Sequence, residues 1–315
     1  MGNDEFKPVF IVGNARSGTT LVAAIMDRHK KLSITPETHF FYQTLPKNWR
    51  SIERDLHKRD SAHELLVRYM VESPNYKDLS LDLNQLMQNF ILQKPTFSEL
   101  FKAVLETYRQ QQGAVHVGEK TPWHLIYVDT ILSWYTDAKV IFVIRDGRDV
   151  IQSLMNASFA HKNFDSHAIA WCSSSRKCLN YLKNYPEHVT CVRLEDLVLN
   201  PEGEVARLDE FVGLEFDPNQ LDSNIPTKVV AEHEKSFKQQ STRQIDAQNI
   251  YKWKNKLTTK ELNEINSLLG YYLKAFNYPE YELKDCSLKE RIRLYLQWYW
   301  IYFKHIVSKT FSLDS

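Results

Sequence analysis

The chain has 315 residues, 43% of them hydrophobic and 25% charged, with 40 Lys plus Arg set against 39 Asp plus Glu. That is enough apolar material for one large domain or two smaller ones, and it excludes a disordered tail, a coiled coil and a disulfide-built miniprotein. A formal charge of +1 speaks against a general nucleic-acid binder, so any electropositive site must be assembled locally.

The amino terminus, Met1-Gly2-Asn3-Asp4-Glu5, is acidic and polar and lacks the basic region of a secretory signal. Phe6 stands where a myristoylated chain carries Ser or Thr, which removes the support for Gly2 as an acylation site. A cytoplasmic protein is the expectation. Pro8 to Val12 is a short run rich in β-branched and aromatic residues, followed by Gly13-Asn14-Ala15-Arg16-Ser17-Gly18-Thr19-Thr20 and then Leu21 to Met26, which reads as strand, tight loop and helix. From Trp49 to Gln112 the spaced apolar residues predict helices, expected to form an insertion over about 49–112 beside a sheet. Lys139 to Ile144 is a second buried-strand pattern, ending at Arg145-Asp146-Gly147-Arg148-Asp149, with a helical pattern beginning at Val150. His167 to Tyr185 reads as helix, Val189 to Arg193 as strand and Gly203 to Val212 as helix. Asn224 to Ile250 is polar and aperiodic, a long surface or lid segment. Thr259 to Leu273 is again helical, with Thr258 or Thr259 near its cap and Glu261 and Glu264 near its first turn. Strands that each run into a polar loop and a helix predict an α/β fold, a mainly parallel sheet flanked by helices, with loops meeting at its carboxyl edge. The chain is read as one domain over 1–315 with a C-terminal aromatic extension over about 284–315.

That extension contains the uncharged aromatic-rich run Leu294 to Phe303, too short to span a bilayer as a helix. Aromatics at nearly every position favour packing on the domain or on a second copy, as in a homodimer, with peripheral membrane contact or acceptor binding as the other readings. Cys172, Cys178, Cys191 and Cys286 fit no common zinc or redox spacing. They are expected to be reduced, with a single disulfide as the alternative.

Gly13 and Gly18 bracket four residues after a strand, as in a phosphate loop, but Thr19 and Thr20 stand where a P-loop ATPase presents Lys and then Ser or Thr. Arg16 and Ser17 put a fixed cation and a hydroxyl inside the loop, and the amides from Gly18 to Thr20 can hold a terminal phosphate at the helix N-terminus. The second loop adds Arg145 and Arg148, able to clamp a phosphate from two directions, and Ser153 can donate one more hydrogen bond. Together the loops predict a ligand with two separated phosphate groups.

These residues resemble the sulfotransferases that use 3′-phosphoadenosine 5′-phosphosulfate (PAPS), in particular the bacterial group related to protein-tyrosine and carbohydrate sulfotransferases. Phe10 to Leu21 looks like their 5′-phosphosulfate loop and Val143 to Val150 with Ser153 like their 3′-phosphate site. The likeness extends through Gly118-Glu119-Lys120-Thr121-Pro122 and Arg193 to Leu197. It implies a P-loop-like nucleotide-binding fold with helical insertions. It also implies that Arg16, Ser17, Gly18, Thr19 and Thr20 bind the 5′ side, that Arg145 and Ser153 bind the 3′-phosphate, and that adenosine 3′,5′-bisphosphate (PAP) is the product. Glu37 lies 21 positions after Arg16, matching the glutamate base of the tyrosine-sulfating relatives, and a carboxylate suits removal of an acceptor hydroxyl proton. His39 is the competing base. Lys120 is expected to stabilise charge on the transferred group. Ser241-Thr242 and Lys252-Trp253 resemble a segment that covers the donor, with Ser241 and Lys252 as contacts and Trp253 as packing.

The scheme needs no metal: Asp146 and Asp149 are read as loop organisers paired with nearby arginines. An ATP-dependent small-molecule kinase and a noncatalytic nucleotide-binding protein are the competing functions. The acceptor is expected to be a hydroxyl on a small molecule or glycan, with protein tyrosine as the alternative.

Overall fold

The computed structural model describes residues 6–56, 59–157, 160, 163–231, 245–282 and 296. Ser241 and nearly all of the aromatic C-terminal tract lie outside the described residues. Five strands form one sheet: β1 (Val9–Gly13), β2 (Leu32–Thr35), β3 (His116–Lys120), β4 (Lys139–Ile144) and β5 (Val189–Arg193). Their order is β2-β3-β1-β4-β5 and every pairing is parallel. All five carboxyl ends therefore fall on one edge. Strands β1 and β4 are buried throughout apart from the first residue of β4, which explains their continuous apolar sequences: a parallel sheet covered on both faces leaves no side for polar alternation.

Alternation does decide which core each residue enters. Phe10, Val12, Val140, Phe142 and Ile144 face a core with the helical insertion, α2 (Trp49–Leu56), α3 (Ala62–Val71), α4 (Tyr76–Leu79), α5 (Leu83–Ile91) and α6 (Phe97–Gln112), together with α7 (Val128–Trp134), α8 (Gly147–Asn156) and α9 (Phe164–Asn184). Val9, Ile11, Ile34, Ile141 and Val143 face α1 (Thr19–Asp27), α10 (Leu194–Leu199) and α11 (Pro201–Val212). Among the described residues, short helical segments at Pro218–Leu221 and Ala247–Asn249 and α12 (Trp253–Lys256) precede α13 (Thr259–Ala275). Thr258 caps α13 reciprocally with Glu261, as its sequence predicts.

Several details differ from the sequence reading. Helix α8 begins at Gly147 rather than Val150, because Asp146 caps it by accepting the Arg148 amide at 3.0 Å. Helix α11 begins at Pro201, where a missing N–H costs nothing, with Asn200 as its cap. Within the segment read as a polar surface stretch, Val229, Val230 and Ala231 are buried, the two valines in the α1-side core.

Candidate active site

The carboxyl edge gathers the predicted residues in the order set by the sheet. The loop after β1 carries Arg16 to Gly18. On one side of it, the loop after β2 carries Glu37 and His39 and the end of β3 carries Lys120; on the other, the loop after β4 carries Arg145. Gly13 is needed for close approach: a Cβ there would lie 2.3 Å from the Val143 carbonyl oxygen. Gly18 adopts φ 91° and caps α1 without a side chain, so no cap side chain takes up the first helical amides. The Ser17 hydroxyl is buried and finds no hydrogen-bond partner among the described residues. An orphaned buried hydroxyl beside uncapped helix amides is what an anionic ligand would satisfy.

Arg16 reaches across to the second loop, its Nε donating to Ser153 Oγ at 3.0 Å. Arg145 Nη1 donates to the Arg16 carbonyl at 3.1 Å and its Nη2 to the Asn249 carbonyl at 2.7 Å. Burial and then the nearby Arg145 charge push the Arg16 guanidinium pKa down. Asn249 also accepts from Lys252 Nζ at 2.6 Å, which brings Lys252 beside the Arg145 loop. Helix α9 braces both loops: Ser174 Oγ donates to Asn14 Oδ1 at 2.7 Å and Trp171 Nε1 to the Arg145 carbonyl at 3.0 Å.

Arg148 is a correction. It lies in the first turn of α8, fully buried, with Nη2 on Asp146 Oδ2 at 2.7 Å and its guanidinium 3.8 Å from the Trp253 ring centre. It therefore organises the loop from behind rather than clamping a phosphate. Asp149 takes the Trp253 amide at 2.8 Å and pairs with Arg145 at 3.4 Å. Both aspartates thus hold arginines, in line with their reading as loop organisers, and the buried Trp253 packs as expected.

On the other side, Lys120 Nζ donates to Glu37 Oε1 at 2.6 Å, with the lysine side chain fully buried and that of Glu37 only 12% exposed. His39 Nε2 lies 3.5 Å from Glu37 Oε2, and its Nδ1 meets the Tyr42 hydroxyl. The two candidate bases and the candidate electrophile are therefore one connected cluster. Glu119, His124, Thr38 and Thr121 form a further buried network directly behind it. The sequence reading assigned these residues no role, because a strand with a glycine and two charges, Gly118-Glu119-Lys120, does not read as one.

A cation-lined helix N-terminus on one side of a carboxylate–lysine pair defines a group-transfer site for an anionic donor. The sulfotransferase family profile matches residues 8–218, and the chain belongs to that family: it is an enzyme that transfers a sulfuryl group from PAPS to an acceptor. Protein-tyrosine sulfotransferase A of Caenorhabditis elegans is 22% identical over 293 residues, spanning 88% of this chain and 70% of the relative. Among solved structures, the sulfotransferase domain of the Synechococcus olefin synthase superposes with a TM-score of 0.62 at 18% identity, covering 89% of this chain and 99% of that domain. The sulfotransferase domain from the curacin biosynthetic pathway gives 0.59 at 18% identity, covering 87% and 98%. These two likenesses establish the fold. Among the described residues, no helix is long and apolar enough to cross a membrane.

Proposed function

We propose that Glu37 is the general base of this sulfotransferase, that Lys120 is its electrophilic partner, and that the acceptor is a hydroxyl on a small molecule or glycan. The observation that carries the reading is the 2.6 Å contact between Glu37 and Lys120. It sets a proton acceptor and a cation side by side, on the loop after β2 and at the end of β3, both on one side of the loop that carries Arg16. Arg16, Ser17, Gly18, Thr19 and Thr20 would hold the 5′-phosphosulfate, and Arg145 and Ser153 the 3′-phosphate, with Lys252 beside them. When bound, the donor supplies an activated sulfuryl group whose leaving group is PAP. The protein's part is to accept the acceptor's proton at Glu37, to hold the attacking oxygen in line, and to place the Lys120 charge where negative charge develops. The scheme routes no step through a metal; Asp146 and Asp149 are assigned the holding of Arg148 and Arg145.

The chain is read as one domain, with the helices over 49–112 shaping the acceptor side. Tyr42, Trp123 and Ile126 are exposed close in sequence to Glu37 and Lys120, apolar surface suited to the carbon skeleton of an alcohol or the face of a sugar. His39 is the second reading for the base, favoured by its contact with the Tyr42 hydroxyl, which orients the ring. The test is transfer of labelled sulfuryl from PAPS to pooled small-molecule, glycan and tyrosine-peptide acceptors, with PAP binding measured in parallel. Glu37→Ala is expected to lose transfer by roughly 100-fold or more while PAP affinity is kept. Undiminished transfer would remove Glu37 as the base, and preferential labelling of the peptides would overturn the acceptor class.

A further inference from the structure

Behind the Glu37–Lys120 pair lies a second carboxylate that the transfer chemistry does not touch. Glu119 and its partner His124 are fully buried. Glu119 Oε1 accepts from the Thr38 amide at 3.2 Å, from Thr38 Oγ1 at 2.9 Å and from the Thr121 hydroxyl, while Oε2 lies 2.9 Å from His124 Nδ1. Each partner passes the grip onward. Thr121 Oγ1 accepts the His39 amide at 3.3 Å, Thr38 Oγ1 accepts the Phe40 amide at 3.3 Å, and His124 Nε2 faces the Phe41 amide at 3.5 Å. Four successive backbone N–H groups, residues 38 to 41, therefore end on one carboxylate, directly or through one side chain.

The hydrogens balance. Each threonine hydroxyl donates once to Glu119 and accepts once from an amide. A neutral His124 with its proton on Nδ1 donates to Glu119 and keeps Nε2 for Phe41. Burial works to raise the Glu119 carboxyl pKa, while the hydrogen bonds from His124, Thr121 and Thr38 act to lower it. The segment so held contains a residue that needs holding: His39 has φ 51°, a left-handed conformation that persists where its surroundings over-determine it. Strand geometry supplies the link to chemistry. Glu119 pairs with Phe10 and Lys120 with Ile11, so the two consecutive side chains leave opposite faces of β3. One grips the backbone of the loop after Glu37, and the other grips the Glu37 side chain.

We propose that Glu119, acting with Thr38, Thr121 and His124, is a positioning residue for sulfuryl transfer. It locks residues 38–41 so that the Glu37 carboxylate stands against Lys120 before substrate arrives. The proposal rests on the reading of Glu37 as base.

The decisive comparison is Thr121→Val against Thr121→Ser, with Glu119→Gln as a second probe of the same network. In each, kcat, KM for PAPS, PAP affinity by calorimetry and the thermal midpoint are measured. Thr121→Val removes the hydroxyl at nearly constant volume and is expected to lower kcat roughly 10- to 100-fold, the effect of misplacing a reacting group by a fraction of an ångström to an ångström. PAP affinity is expected to stay within about twofold, because the anion loops are untouched. Thr121→Ser keeps the hydroxyl and is expected to retain kcat, and Glu119→Gln is expected to behave as Thr121→Val. Equal kcat in the Val and Ser variants overturns the proposal, as does a fall in kcat matched by an equal fall in PAP affinity. If Glu119→Gln does not fold, the Thr121 pair decides alone. Glu37→Ala is run alongside: full transfer by that variant removes the base assignment, whereas an inactive Glu37→Ala with an unimpaired Thr121→Val removes only the positioning role.

Discussion

Arg16 combines two local costs. Its backbone sits at φ 68°, a left-handed conformation unfavourable for an ordinary side chain by about 1–2 kcal/mol, and its guanidinium is part-buried near a second arginine. On the proposed reading, a nucleotide with two phosphate groups would offset both, by neutralising the neighbouring cations and fixing the loop. Arg16→Ala is therefore expected to weaken PAP binding roughly 10- to 100-fold, the worth of a hydrogen bond to a charged group. Ser153→Ala, which removes a neutral hydroxyl, is expected to cost about three- to tenfold in the same titration. Lys120 acts on the other quantity. Lys120→Met is expected to lower kcat by roughly 100-fold or more with little change in PAP affinity, as loss of a group that stabilises developing charge should.

At the scale of elements, the strands that hold the donor loops were legible and two others were not. Strands β1 and β4 lie inside the sheet and are apolar apart from Lys139 at the start of β4, so they announce themselves, as does β5. Strand β2, Leu32-Ser33-Ile34-Thr35, is a four-residue edge strand with two hydroxyl side chains. Strand β3, His116-Val117-Gly118-Glu119-Lys120, carries a glycine and two charges, and those charges are buried for the sake of the site rather than the core. Position along the chain could suggest Glu37 and Lys120 separately, but only the pairing of β2 with β3 brings them together. Arg148 shows the converse. Its place beside Arg145 looked like a second phosphate clamp, whereas an Asp146 cap turns it inward under Trp253. The same dependence on local geometry makes Gly18 testable. Gly18→Ala would place a Cβ 2.7 Å from Leu194 Cδ1 in a left-handed conformation. It is expected to destabilise the protein by about 1–3 kcal/mol in chemical denaturation.

For the whole molecule, the buried carboxylates set the pH response. Burial, as the largest influence, raises the Glu195 carboxyl to about 7, although it accepts the Asp146 amide at 2.9 Å and the Tyr278 hydroxyl at 3.1 Å. Asp27 and Asp209 are raised to about 6, again chiefly by burial. A raised carboxyl pKa means that the folded state binds the proton more tightly than the unfolded chain. The associated stability is full below the ordinary value of 4.5 and is lost as pH rises through about 7 for Glu195. Glu195→Gln should flatten that slope. Between pH 4.5 and about 7, the difference in denaturation free energy is expected to move toward the variant by at most roughly 3 kcal/mol. An unchanged difference across that range would show that Glu195 titrates normally.

Helix α9 gives the two anion loops a common ruler. Because Ser174 holds Asn14 and Trp171 holds the Arg145 carbonyl, the separation of the loops is set by one turn of a 21-residue helix rather than by whatever nucleotide arrives. On the proposed reading, a nucleotide phosphorylated at both the 5′ and 3′ positions would engage both loops, while ATP, having no 3′-phosphate, would engage one only. Discrimination against the cell's most abundant nucleotide would then rest on a spacing that the scaffold holds before any ligand is met.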